Sequence, residues 1–179
     1  MDINKAMEMA KEAGFDTVAT IDPGKMEFRS EVRDMCAACP GYGLSWGCPP
    51  ACGTLEEVAA RVKPYTSGIL VQTICKMEDE YDMAAWGVAG GEHGTRFMEL
   101  LARFQEITDV YPMGAGGCRR CEEGCSYPDA PCRHPELVFP SMEASGLLVS
   151  DVCRDNGVTY YYGPNTVAFN CCYLFKPED

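Results

Sequence analysis

Eight of the chain's twelve cysteines stand in two tight groups, and this spacing limits the possible fold more than any other feature. Cys36, Cys39, Cys48 and Cys52 run C-x2-C-x8-C-x3-C, and Cys118, Cys121, Cys125 and Cys132 run C-x2-C-x3-C-x6-C. A disulfide demands a restricted Cα separation and torsion, so thiols two or three residues apart pair poorly with each other. The same spacing lets them wrap one metal centre. Both groups lie in Gly- and Pro-rich sequence, such as Cys39-Pro40-Gly41-Tyr42-Gly43 and Gly114-Ala115-Gly116-Gly117-Cys118, and both are therefore expected as loops.

The redox compartment decides what such thiols do. The stretch from Met1 to Glu12 mixes charge into every turn, without the basic start and apolar core of a signal peptide. No run approaches the roughly 18 apolar residues of a membrane span. The chain reads as soluble and cytoplasmic, where dense cysteines serve metal or redox chemistry more often than disulfides. With 27 Asp and Glu against 15 Lys and Arg, the formal charge is −12. That balance argues against nucleic acid or an anionic membrane as partner.

Between the groups the hydrophobic period is readable. Ile3, Ala6, Met7 and Ala10 predict a helix that Gly14 ends, and Thr17 to Ile21 predicts a strand. Thr54-x-x-Glu57 is a capping box opening a helix over about 54–63, and Ser67 to Cys75 reads as a buried strand. Phe97, Leu100, Leu101, Phe104 and Ile107 form a helical stripe. A weaker helical stretch near 81–89 precedes it, with a kink or turn expected at Gly90-Gly91. Short strands are expected over 110–115 and 166–175, and short helical pieces over 141–145 and 150–156. The expected fold is α/β or α+β: a compact single domain over 1–179, with a small mixed sheet, flanking helices and two cysteine-rich metal-binding loops. Each cysteine group is followed by a helix and then a strand, which divides the chain into two similar halves, about 1–76 and 77–179.

Zinc and iron–sulfur clusters compete for the thiolates. Structural zinc takes two C-x2-4-C knuckles, which fits the first group. Several cysteines in one short segment, with proline after a ligand, fit a [4Fe-4S] cluster; the second group has the dense spacing, and Cys39-Pro40 and Cys48-Pro49 carry the proline. Glycines beside Cys118 and Cys125 leave backbone N–H groups free to approach sulfur, while Tyr42, Trp46 and Tyr127 are either shields against water or ordinary core aromatics. His134 is an alternative ligand or a donor behind the ligands, and His93 reads as solvated. Cys75 and either Cys171 or Cys172 read as small buried hydrophobes, and Cys153 has no distinguishing context. Walker, dinucleotide and nucleophile-elbow motifs are absent. Arg33, Arg133, Ser141 and Glu143 either flank a substrate pocket or serve as local ion-pair and capping residues.

The motifs Val32-Arg33-Asp34-Met35-Cys36, Tyr42-Gly43-Leu44-Ser45-Trp46-Gly47-Cys48-Pro49-Pro50, Pro131-Cys132-Arg133-His134-Pro135 and Pro140-Ser141-Met142-Glu143-Ala144-Ser145-Gly146 resemble the prokaryotic proteins grouped as domain of unknown function 2284. The resemblance covers nearly the whole chain. It implies metal binding, with Cys36, Cys48, Cys118, Cys121, Cys125 and Cys132 as ligands, and it implies no reaction. The expectation is a protein with one or two [4Fe-4S] clusters for electron transfer or redox sensing, working with a protein redox partner or a small molecule. A zinc-stabilised module and an enzyme binding substrate next to a cluster are the alternatives.

Overall fold

The computed structural model describes residues 1–177. Helix α1 (Ile3–Glu12) starts at Asp2, whose side chain accepts the Asn4 N–H, and it ends where Gly14 turns to φ +86°. Strand β1 (Thr17–Ile21) follows, then α2 (Ser30–Ala37), α3 (Leu55–Val62) and strand β2 (Ser67–Lys76). The second part of the chain contributes α4 (Met83–Gln105), β3 (Val110–Met113), α5 (Val149–Asp155) and β4 (Thr166–Phe175). The first part thus runs α1, β1, α2, α3, β2 and the second α4, β3, α5, β4, the first having one more helix, which carries Cys36.

The four strands form one sheet in the order β1-β2-β4-β3. Every neighbouring pair of strands is antiparallel, and among the described residues parallel pairing is confined to a bridge between Gly114 and Ser141 beyond the end of β3. The long central pair runs from Ser67 opposite Phe175 to Lys76 opposite Thr166. Alternation along these strands divides the core. Ile69, Val71, Cys171, Tyr173 and Phe175 face α1 and α4, meeting Ala6, Ala10, Leu100 and Phe104. Leu70, Cys172 and Leu174 point to the other face, against Val62, Val149 and Val152. Each large apolar side chain fully buried there contributes roughly 1.5–3 kcal/mol by leaving water. No described helix is long and apolar enough to cross a membrane.

Three local expectations are corrected. Residues 83–105 form one helix that continues through Gly90-Gly91, because Gly90 is where Phe169 of β4 packs: a β-carbon at position 90 would stand 3.1 Å from the Phe169 ring. His93 is buried, at 2% exposure, rather than solvated. The stretch 141–145 is a chain of turns instead of a helix. In it the Ser141 hydroxyl accepts the Ala144 N–H and the Ser145 hydroxyl donates to the Ser141 carbonyl.

Candidate metal centre

The first group is not wholly a loop. Cys36 sits in the last turn of α2, a helix with the single buried residue Val32 and no side-chain cap at its start. The chain then passes through turns that carry Cys39 and Cys48, and Cys52 lies two residues before Thr54, the cap of α3. There the capping box forms as its spacing predicts, Thr54 accepting the Glu57 N–H while Glu57 accepts that of Thr54. Cys36, Cys39, Cys48 and Cys52 come within electrostatic reach of one another.

Arg33 is the brace of this group. Its guanidinium donates to the Ala144 carbonyl at 2.5 Å and also to the Gly53 carbonyl, so it joins α2 to the 141–146 turn and to the segment after Cys52. Arg61 donates to the Cys52 carbonyl at 2.5 Å. Burial pushes the Cys36 and Cys52 thiols up, and the Arg33 charge opposes the rise at both. Burial also raises Cys48, helped by the neighbouring Cys52. A thiolate at these positions therefore requires a cation, either guanidinium or metal.

The second group is held by loops throughout. Cys118, Cys121, Cys125 and Cys132 line one cavity of about 220 Å³, together with Trp46, Arg120 and His134. Backbone N–H groups point at the sulfurs. The His134 N–H donates to Cys132 at 3.4 Å, while the Arg120 N–H near Cys118 and the Tyr127 and Trp46 N–H groups near Cys125 act on those thiols electrostatically. The Arg133 side chain donates to the Gly124 carbonyl at 2.9 Å, and the neighbouring Cys121 raises its pKa. Burial raises the Cys118 thiol, the Arg120 N–H and charge only partly offsetting it. Burial pushes Cys125 up as well, but the two N–H groups, the Ser45 hydroxyl and the Arg133 charge outweigh it and bring that thiol below its ordinary value.

The two groups adjoin. Gly117 faces Cys48, where a β-carbon would stand 3.6 Å from the sulfur, and the Ser45-Trp46-Gly47 segment of the first group lies over the second. Trp46 meets Tyr127 edge to face at 5.0 Å and donates its indole N–H to the Ala130 carbonyl. Of the three aromatics singled out from sequence, Tyr42 is exposed and contributes no shield.

A family model described as predicted metal-binding protein, DUF2284, matches residues 19–175. The chain belongs to this family. Comparison with curated proteins and with solved structures finds no match. Metal binding is the family's description, and the matched residues contain all eight grouped cysteines. The donor set fits that description, since two sets of soft thiolates suit zinc, copper(I) or iron–sulfur centres and not magnesium or calcium. Among the described residues, no three His, Cys, Asp or Glu side chains converge on one point at the spacing of a single ion; the second group instead surrounds a space.

The other candidates divide differently. His134 is half-buried and lines the 220 Å³ cavity, and its backbone N–H serves Cys132. Cys75 is buried in β2, as its strand position predicts, and both Cys171 and Cys172 are buried in β4, where the alternation predicts only one of them. Cys153, with no context in the sequence, donates to Asn170 Oδ1 at 3.5 Å and lies 3.9 Å from Gln72 Nε2 in a buried polar cluster. Arg33, Arg133, Ser141 and Glu143 do not share a pocket: Arg33 and Arg133 hold different cysteine groups, Ser141 is buried in its turn, and only Glu143 reaches the rim of a large cleft. Sequence reading missed Arg120, Ser45 and Gly47, which shape the second group. The Arg119-Arg120 pair between two cysteines was the available signal.

Proposed function

We propose that this protein is an iron–sulfur protein in which Cys118, Cys121, Cys125 and Cys132 hold a [4Fe-4S] cluster and Cys36, Cys39, Cys48 and Cys52 hold a second centre. The observation that carries this reading is the arrangement of the second group: four thiols around a cavity of about 220 Å³, one of them bonded by the His134 N–H and two more with backbone N–H groups acting on them. A cubane spreads its four ligands around a core, whereas zinc draws four sulfurs to about 2.3 Å from one point. Hydrogen bonds to sulfur are also the protein's lever on a cluster's reduction potential.

The role that follows is electron transfer or redox sensing. The grouped cysteines are half-buried or exposed apart from Cys52, so a centre held there lies near the surface, within reach of a redox partner that is a protein or a small molecule. This chain supplies the thiolates, the N–H donors and the positive charge of Arg33, Arg120 and Arg133 beside them.

Anaerobic purification followed by iron, acid-labile sulfide and zinc analysis tests the reading. A brown protein with iron and sulfide in equal amounts, bleached by dithionite, is the expected result. A colourless protein holding stoichiometric zinc, stable in air and unfolded by chelator, overturns it in favour of a zinc-stabilised module.

A further inference from the structure

A second and larger cleft, of about 750 Å³, opens beside the second cysteine group, between α4, the first half of β4 and the Gly114–Cys118 segment. Its size is that of a small-molecule site. Two features show that the space is built into the fold. Helix α4 carries glycine at 87, 90, 91 and 94, each costing about 1 kcal/mol of helix propensity relative to alanine. Gly90 admits Phe169, but Gly91 and Gly94 line the cleft with nothing within 4 Å of where a β-carbon would stand. The facing segment is likewise small-residue only, as Gly114-Ala115-Gly116-Gly117.

The walls indicate what fits. Trp86 and Phe169 meet at 5.6 Å and Phe97 and Phe139 at 5.4 Å, presenting two pairs of rings to the cleft. Arg119 lies 5.8 Å over the Trp86 ring and Arg120 5.6 Å over the Phe139 ring, so both cations stand beside the aromatic surface. Arg120 Nε is buried and has no hydrogen-bond partner among the described residues, a state that costs free energy unless a ligand accepts from it. The acids at the cleft, Glu99 and Glu143, are exposed and solvated. Deeper in, His93 and Cys171 engage each other at 2.8 Å, and His93 bonds Thr73 at 2.8 Å, which leaves the inner wall without a free charge.

We propose that this cleft binds a small planar aromatic molecule bearing an anionic group, its ring against the aromatic walls and its anion on Arg120, next to Cys118. Arg120 then connects ligand and metal centre directly, since its charge acts on the Cys118 sulfur. The proposal does not depend on which metal the thiolates hold: a zinc protein would refute the iron–sulfur reading and leave this site standing.

Benzoate serves as the probe, titrated into the metal-loaded full-length protein by calorimetry and by ligand-observed NMR, with acetate and benzyl alcohol as controls. Saturable benzoate binding at millimolar concentration is expected, with both controls at least about tenfold weaker. Arg120→Gln is expected to weaken benzoate about tenfold. Gly94→Leu, which fills the cleft while raising helix propensity, is expected to abolish binding at unchanged metal content and without loss of thermal stability. Absence of saturable benzoate binding, acetate binding as tightly as benzoate, or equal affinity in wild type and Gly94→Leu overturns the proposal.

Discussion

Gly47 lies against Cys118 so closely that a β-carbon at position 47 would stand 3.2 Å from Cys118 Cβ and 3.1 Å from the Phe139 carbonyl oxygen. The contact joins the first cysteine segment to the second, and no flexible side-chain end is available to yield. Gly47→Ala is therefore expected to destabilise the protein by about 1–3 kcal/mol through overpacking. Because the strain falls on Cys118, metal content at the second group should drop with it. Gly43→Ala is the comparison: its φ of +67° strains the backbone, but nothing lies within 4 Å, so its effect should stay within the first segment. Thermal melts with metal analysis check both, and full metal retention in Gly47→Ala would count against the seam.

Cys125, a proposed ligand, and Cys75, a packing residue, should respond differently to substitution. Cys125 lies in the cavity among N–H donors and is the grouped thiol brought below its ordinary value, whereas Cys75 is buried in β2 with burial raising it. Cys125→Ser is expected to remove the metal of the second group while leaving the sheet intact. Cys75→Ala should cost about 1 kcal/mol of stability and no metal. Metal-to-protein ratios together with circular dichroism read the difference; equal metal loss in both variants would remove the distinction between the two classes.

The parts of this fold visible in the sequence are those set by local rules. The capping box at Thr54 and Glu57 starts α3 where the spacing places it, and the apolar run of 166–175 is β4 residue for residue. Helix α2 escaped because it buries only Val32 and lacks a side-chain cap, so neither period nor punctuation marks it. His93 escaped for a different reason: its partners Thr73 and Cys171 come from β2 and β4, and only the sheet brings them together. The cysteine groups were legible as groups because their spacing is local. Their adjacency, through Gly47 and Gly117, is tertiary and left no pattern to read.

Glycines of α4 should respond with opposite signs. Gly87 is exposed, with nothing within 4 Å of the position a β-carbon would take, so Gly87→Ala is expected to stabilise by about 0.5–1 kcal/mol through helix propensity and a less free unfolded chain. Gly90→Ala gains the same propensity but pushes against the Phe169 ring at 3.1 Å, and should be neutral to destabilising. Urea midpoints of the two variants check this; a stabilised Gly90→Ala would mean that the Phe169 ring moves aside freely.

The buried His93 gives stability a defined pH dependence. Burial, with a smaller contribution from the Arg96 charge, lowers its pKa from 6.5 to about 4. Between those values the unfolded chain binds a proton that the folded chain refuses, so stability rises with pH across the window. The contribution is fully present above about 6.5 and is lost as pH falls toward 4, amounting to as much as about 3 kcal/mol. The paired carboxylates Asp109 and Asp151, lowered by Lys176 and by Arg154 respectively, act in the same direction but at lower pH, below about 4. Protons also compete with metal for the thiolates, so the comparison must be between variants at matched metal content. His93→Gln keeps a polar group near Thr73 and removes the titration. Its denaturation midpoint should therefore vary less between pH 7 and pH 4.5 than that of the wild type, and parallel pH profiles for the two proteins would show that His93 does not govern acid stability.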